Sequence, residues 1–146
     1  MNQLINSKRR LAHVLGVGGL LPFVLGLLVL AYAPGQVAHL AERALLGWSV
    51  VILSFLGGAQ WGGLIERPDF QPQALALSVL PALVGWGALF MPSTVIALLV
   101  LAVAFAATRW LDRLSAWPRW FAHLRTGLTV VVVAVLVTAA VVVWRA

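Results

Sequence analysis

Long apolar segments separated by short polar ones make up almost the whole chain. Five such segments can be counted, at residues 11–33, 44–65, 74–91, 94–111 and 120–144. Each is about 18 to 25 residues long, and a helix of that length, rising 1.5 Å per residue, crosses a hydrocarbon core of ~30 Å. The pattern predicts an all-α, polytopic membrane protein, in which residues 1–146 form a single domain, a bundle of five transmembrane helices.

The composition supports a location in a membrane. Hydrophobic residues make up 62% of the chain and charged residues 10%, whereas soluble domains are nearer one half and one quarter. The formal net charge of +6 would also suit a nucleic-acid partner. The basic residues lie instead at the ends of the apolar segments, where they anchor helices, so we expect no binding of nucleic acid. The chain has no Cys, which excludes disulfides and thiolate metal sites.

The positions of Lys and Arg predict the orientation. With five crossings, eight of the ten lie on the side of the N-terminus, and Arg43 and Arg145 lie on the other side. The positive-inside rule then places the N-terminus in the cytoplasm and the C-terminus outside. Basic residues 8–10 followed by an apolar run also resemble a signal peptide. Because the run of residues 11–30 exceeds the usual length of ~7–15, we expect an uncleaved first span.

The second apolar segment is the predicted centre of the bundle. Ser54, Gly58 and Gly62 recur every four residues, which places them in one ridge of small residues along a helix. Such ridges allow helices to approach closely in lipid. Gln60 lies well inside the same segment and needs a hydrogen-bond partner from another helix or from water. We therefore predict that the other helices pack against this segment.

Polar residues concentrate in the predicted cytoplasmic half, and Gln60, Arg109 and Arg125 are the candidate ligand-binding residues. Arg125 follows Pro118 by seven residues, about 10 Å along a helix at 1.5 Å per residue, so it reaches below the headgroups. It either binds a lipid phosphate or pairs with Gln60 and Glu66 in a pocket between helices. Alternatively, it extends to the interface, as Arg near helix ends does.

The sequence shows no arrangement typical of a metal site or of catalysis. His13, Asp112 and His123 lack the spacing of a ligand motif, so we expect no metal. There is no Ser-His-Asp set, paired carboxylate or phosphate-binding glycine loop. We therefore expect no cofactor and no enzymatic activity.

Four stretches spread along the chain resemble a family of small membrane proteins. They are GLLPF at 19–23, VILSFLGG at 51–58 with Trp61-Gly62, SVLPAL at 78–83 with Trp86, and Trp120-Phe121 followed by Leu124-Arg125 and Leu128-Thr129. The chain resembles the domain of unknown function 3429 family, whose members include a mitochondrial transmembrane protein of animals. The resemblance implies a membrane protein of five helices and implies no activity.

Two hypotheses of function follow. The first is a non-enzymatic scaffold or assembly partner in the bacterial inner membrane, which contacts another membrane protein or a second copy of itself through the ridge of Ser54, Gly58 and Gly62. The second is a lipid-binding or small-molecule-binding protein, or a small transporter, with a polar pocket in its cytoplasmic half. The lipid bilayer is a partner in both, and anionic headgroups are candidate ligands of the second.

Overall fold

The computed structural model describes residues 2–69, 72–115 and 117–145. These residues form seven α-helices and no strand. The helices are α1 (Asn2–Gly18), α2 (Leu21–Tyr32), α3 (Gln36–Ile65), α4 (Pro72–Leu77), α5 (Leu80–Ala88), α6 (Thr94–Leu111) and α7 (Arg119–Arg145), and a 3₁₀ turn over Asp112–Ser115 follows α6. The prediction of an all-helical membrane protein is confirmed.

Every predicted apolar segment coincides with helix, but the third is shorter than the others. Four described segments are long and apolar enough to cross a membrane: Asn6–Tyr32, which contains α2, then α3, α6 and α7. The predicted segment 74–91 is occupied by the short pair α4 and α5, over Pro72–Ala88. The orientation of the termini stays a prediction.

Two segments are broken just before a proline, and each break contacts α3. The proline removes a backbone N–H, so the preceding turn loses a helical hydrogen bond. Between α1 and α2, the indole Nε1 of Trp48 donates to the carbonyl oxygen of Gly19 at 3.1 Å. Between α4 and α5, the carbonyl oxygen of Ser78 would lie 2.6 Å from a Cβ added to Gly57. Only glycine permits that approach. Helix α3 therefore contacts both breaks, the first through Trp48 and the second through Gly57.

Helices α3 and α6 share the centre of the bundle. Helix α3 contacts α2, α5 and α6, and α6 contacts α5 and α7 as well. The most deeply buried large apolar side chains come from α2, α3, α6 and α7: Phe23, Leu45, Leu53, Leu98, Leu101, Phe105 and Leu136. The second predicted segment, α3, is therefore central as predicted, but α6 shares that position with it.

The predicted ridge on α3 does not pack within the chain. Gly58 and Gly62 are exposed, and none of the described residues would come within 4 Å of a Cβ added to either; Ser54 is half-buried. The buried side of α3 is formed by Ala41, Leu45, Ser49, Leu53, Gly57, Gln60 and Leu64. Gly58 follows Gly57 by one residue, which turns it by roughly 100° from that side. Packing of the ridge against a partner outside this chain stays a prediction.

Candidate functional site

A cluster of buried polar side chains joins α3, α6 and α7. The amide Nε2 of Gln60 donates to the carbonyl oxygen of Thr108 at 3.0 Å and to Oδ1 of Asp112 at 2.8 Å. Arg125 donates to the same carboxylate twice, from Nε to Oδ2 at 2.9 Å and from Nη2 to Oδ1 at 2.8 Å. The carboxylate therefore accepts three hydrogen bonds, from two different helices. We call Gln60, Thr108, Asp112 and Arg125 the polar cluster.

The helical repeat places each member of the polar cluster on a buried face. Gln60 continues the buried side of α3, and Thr108 continues that of α6. Asp112 follows Thr108 by four residues, so the 3₁₀ turn carries the same face one turn further. Exposed fractions are 2% for Gln60, 5% for Asp112 and 8% for Arg125. The polar cluster is thus almost completely removed from the surface.

The two charges of the polar cluster neutralise each other. Removing an ion from water costs several kcal/mol, and a partner in good geometry with further hydrogen bonds offsets this cost. Arg125 meets Asp112 through a bidentate arrangement, the strongest that guanidinium and carboxylate can make. Gln60 adds a third donor. The cluster therefore carries no net charge.

An apolar cavity of about 370 Å³ lies beside the polar cluster. Its walls come from α1, α2, α3, α6, α7 and the turn before α7. Among the lining residues are Leu20, Phe23, Ile52, Phe105, Leu124 and Leu128, and Gln60, Asp112 and Arg125 line it as well. Two further lining residues, Leu15 and Phe55, are exposed by 66% and 67%. The cavity therefore opens between α1 and α3, on the apolar outer surface of the bundle.

Two buried polar atoms of the cavity lining have no hydrogen-bond partner among the described residues. They are Oε1 of Gln60, an acceptor, and Nε1 of Trp117, a donor. A buried polar group left without a partner costs about 1–3 kcal/mol, so native structures contain few of them. Both atoms belong to residues of the cavity lining, and both are shielded in this conformation.

The structure brings two of the three candidate ligand-binding residues together. Gln60 and Arg125 meet through Asp112. Arg109 lies outside both the polar cluster and the cavity lining, and its Nε donates to Oγ1 of Thr126 at 2.7 Å near the surface. Glu66 is exposed at the end of α3, so the carboxylate that meets Arg125 belongs to Asp112. Because Arg125 is buried in this ion pair, its interpretation as a residue extending to the interface is wrong.

Sequence reasoning did not assign Asp112 and Trp117 to this site. The signal for Asp112 was present, since it continues the spacing of the buried positions Leu101, Phe105 and Thr108 on one helical face. Trp117 lies in the turn before α7, where periodicity gives no information. Its ring would lie 3.0 Å from a Cβ added to Gly63, so glycine at that position makes room for the indole.

The histidines do not join the site. The ring of His13 stacks on that of Trp120 with centroids 6.2 Å apart, and the guanidinium carbon of Arg9 lies 5.5 Å from the centre of the same indole. These contacts attach α1 to the start of α7. Within the described residues, no group of three or more His, Asp or Glu side chains could hold a metal ion.

Fold and site define a small helical membrane protein with a cavity that ends at a buried, neutral ion pair. The chain belongs to the family described as "Protein of unknown function (DUF3429)", whose model matches residues 8–141. That range includes the whole polar cluster and every residue of the cavity lining. The family resemblance seen in the sequence is confirmed.

The relatives found are animal transmembrane proteins. The chain is 36% identical over 132 residues to Transmembrane protein 69 of Xenopus tropicalis, which covers 86% of this chain and 52% of that relative. It is 28% identical over 123 residues to Transmembrane protein 69 of Mus musculus, which covers 79% of this chain and 49% of the relative. The chain thus spans about half the length of these curated relatives. No solved structure matches it.

Proposed function

We propose that this protein binds an amphipathic small molecule or lipid in the cavity between α1, α2, α3, α6 and α7. The observation that carries the proposal is the joining of an apolar cavity to a buried polar cluster with an unpartnered acceptor, Oε1 of Gln60. Ligand sites in proteins are mostly apolar, with a few polar groups that fix the ligand's orientation. The apolar part of the ligand would occupy the cavity, and its headgroup would approach Gln60.

The volume sets the size of the ligand. A cavity of about 370 Å³ falls in the range of roughly 300–1,000 Å³ that small-molecule sites occupy. A single alkyl chain of medium length is a ligand of suitable size.

The position of the opening suggests the route of entry. Leu15 and Phe55 border the opening, and both belong to helical faces that point outward from the bundle. In a bilayer this surface faces the acyl chains, so a ligand would enter laterally without its tail crossing water. Contacts of α1 with the remainder of the bundle are few, and they are concentrated on α7. Helix α1 is therefore the wall that moves most easily.

A scaffold role through the ridge of Ser54, Gly58 and Gly62 is the second candidate. The exposure of both glycines favours it, because a partner helix could approach the α3 backbone closely there. Lipid tails could cover the same surface equally well, however, and the ridge contains no unpartnered buried polar atom. The cavity is thus the more specific feature.

The cellular setting belongs to the proposal too. The bias of Lys and Arg toward one side supports a multi-pass protein of the bacterial inner membrane. Binding without catalysis accords with the polar cluster, in which three hydrogen bonds already occupy the Asp112 carboxylate.

Native mass spectrometry of gently extracted protein tests the binding function. Ala59 lines the cavity, whereas Ala106 is exposed on α6 outside it. We expect a reproducible small-molecule mass on the wild type and on Ala106→Phe, and its loss from Ala59→Phe. A bare wild type would overturn the proposal. So would an Ala59→Phe variant that unfolds at the wild-type temperature and retains the bound mass.

A further inference from the structure

We infer that the headgroup bound beside the polar cluster is uncharged and both donates and accepts a hydrogen bond, as a hydroxyl or a protonated carboxyl group does. This inference rests on the proposed binding function and specifies its ligand class. It depends on the charge balance of the cavity and on the two unpartnered atoms in its wall.

The charge balance disfavours an ionic headgroup. Asp112 and Arg125 are the charged residues among those that line the cavity, and they are bonded to each other. A phosphate or ammonium group placed there would be an unpaired charge in apolar surroundings, or it would have to break the existing ion pair. Either event is costly. The anionic lipid headgroup expected from Arg125 in the sequence therefore fits this cavity poorly.

The acceptor is fixed by the hydrogen bonds of Gln60. Both partners of its Nε2, the carbonyl oxygen of Thr108 and the carboxylate of Asp112, can accept but cannot donate. The amide cannot be reversed without placing its oxygen against two other oxygens. Oε1 of Gln60 must then point away from Asp112, and it has no donor among the described residues. It provides a defined acceptor for a ligand O–H.

The donor, Nε1 of Trp117, belongs to a ring that packs against α3 close to Gln60. Carbons Cη2 and Cζ2 of Trp117 would lie 3.0 and 3.3 Å from a Cβ added to Gly63, and Cζ2 is next to the ring carbon that carries Nε1. Gly63 follows Gln60 by three residues, so the two positions are neighbours one turn apart. A hydroxyl between Oε1 of Gln60 and Nε1 of Trp117 could donate to the first atom and accept from the second.

The two atoms are shielded in this conformation, so the Trp117 side chain must turn for a headgroup to reach them. Trp117 precedes α7 in a segment without regular secondary structure and is half-buried. Its ring packs edge to face on Phe121, with centroids 5.2 Å apart, so the turn would change this contact. The indole would form the polar end of the site and would adjust on binding.

The experiment compares probes that share a tail but differ in headgroup. Protein in nanodiscs is equilibrated with deuterated 1-dodecanol, dodecane, dodecyl phosphate or dodecyltrimethylammonium, and the bound probe is quantified after the protein is captured. We expect saturable binding of dodecanol, about tenfold tighter than each of the other probes. Trp117→Phe removes the N–H and keeps an aromatic ring, so it should weaken dodecanol binding about fivefold, the effect of one neutral hydrogen bond.

The controls separate the headgroup from the tail. Because Trp117 lines the cavity, the readout for Trp117→Phe is the ratio of dodecanol to dodecane affinity, which should fall about fivefold. Trp110→Phe, at an exposed position outside the cavity, should leave both affinities unchanged. Tighter binding of a charged probe, equal binding of dodecane and dodecanol, or no effect of Trp117→Phe would overturn the headgroup inference and leave the binding function standing. An absence of saturable binding by every probe would overturn both.

Discussion

The ion pair between Asp112 and Arg125 allows the most quantitative prediction. In Asp112→Asn the guanidinium stays charged and buried but loses its counterion, while Gln60 can still donate to the new amide oxygen. Breaking a buried pair from one side costs about 3–5 kcal/mol, because an uncompensated charge remains. We expect Asp112→Asn and Arg125→Met each to lower the free energy of unfolding by about this amount.

The double variant distinguishes mutual compensation from simple loss of contacts. With both charges removed, the methionine side chain would fill apolar space and the asparagine side chain would keep its bond from Gln60. Replacing a buried ion pair as a unit is often close to neutral, so we expect a total loss of about 0–2 kcal/mol, far below the sum of the single effects. The assay is reversible unfolding in mixed micelles, evaluated as a double-mutant cycle.

An exposed ion pair of the same chain provides the control. Arg67 and Asp69 approach to 3.1 Å, but the Asp69 side chain is 71% exposed. Asp69→Asn should therefore change the free energy of unfolding by less than about 1 kcal/mol, as surface pairs do. If the Asp112 and Arg125 variants are additive to within about 0.5 kcal/mol, the pair is not mutually compensated, and the description of a neutral polar cluster is refuted.

Two further predictions test the fold. Gly57→Ala should destabilise the protein by about 1–3 kcal/mol, because the new Cβ would lie 2.6 Å from the Ser78 carbonyl oxygen and force the backbone apart. Gly58→Ala is the control and should be neutral or slightly stabilising. Equal unfolding midpoints of the two variants would contradict the close approach of Ser78 to Gly57. For topology, single cysteines at Asn6 and Trp144 should react with an impermeant maleimide from opposite sides of the membrane, since the chain has no Cys of its own. Labelling from the same side would mean that α4 and α5 do not complete a crossing.

The apolar pattern was sufficient to predict most of the fold. The fourth segment agrees with α6 at both ends, and the fifth, despite its run of β-branched residues 129–133, is helical in α7. Lipid cannot satisfy the backbone of an open strand, so the helix prevails over intrinsic propensity. The break between α4 and α5 was less visible, because it depends on how the carbonyl of Ser78 meets Gly57 on another helix.

The site was predictable in part. The need of Gln60 for a partner follows from its position in an apolar segment, and a polar environment for Arg125 was an open alternative. The partner, Asp112, was not assigned, although its spacing continues the buried face of α6, which a 3₁₀ turn extends to it. The ridge of Gly58 and Gly62 was expected to pack against the other helices of the bundle and was also the expected contact with a partner, because spacing shows which residues share a face. It does not show which face the other helices cover.

The most direct test of ligand binding in the cavity is an experimental structure of the full chain, extracted with its native lipids. We predict an elongated density in the cavity between α1 and α3, with one end beside Oε1 of Gln60 and Nε1 of Trp117, and an intact ion pair of Asp112 and Arg125. A cavity closed by side chains, or one that contains water alone, would contradict it.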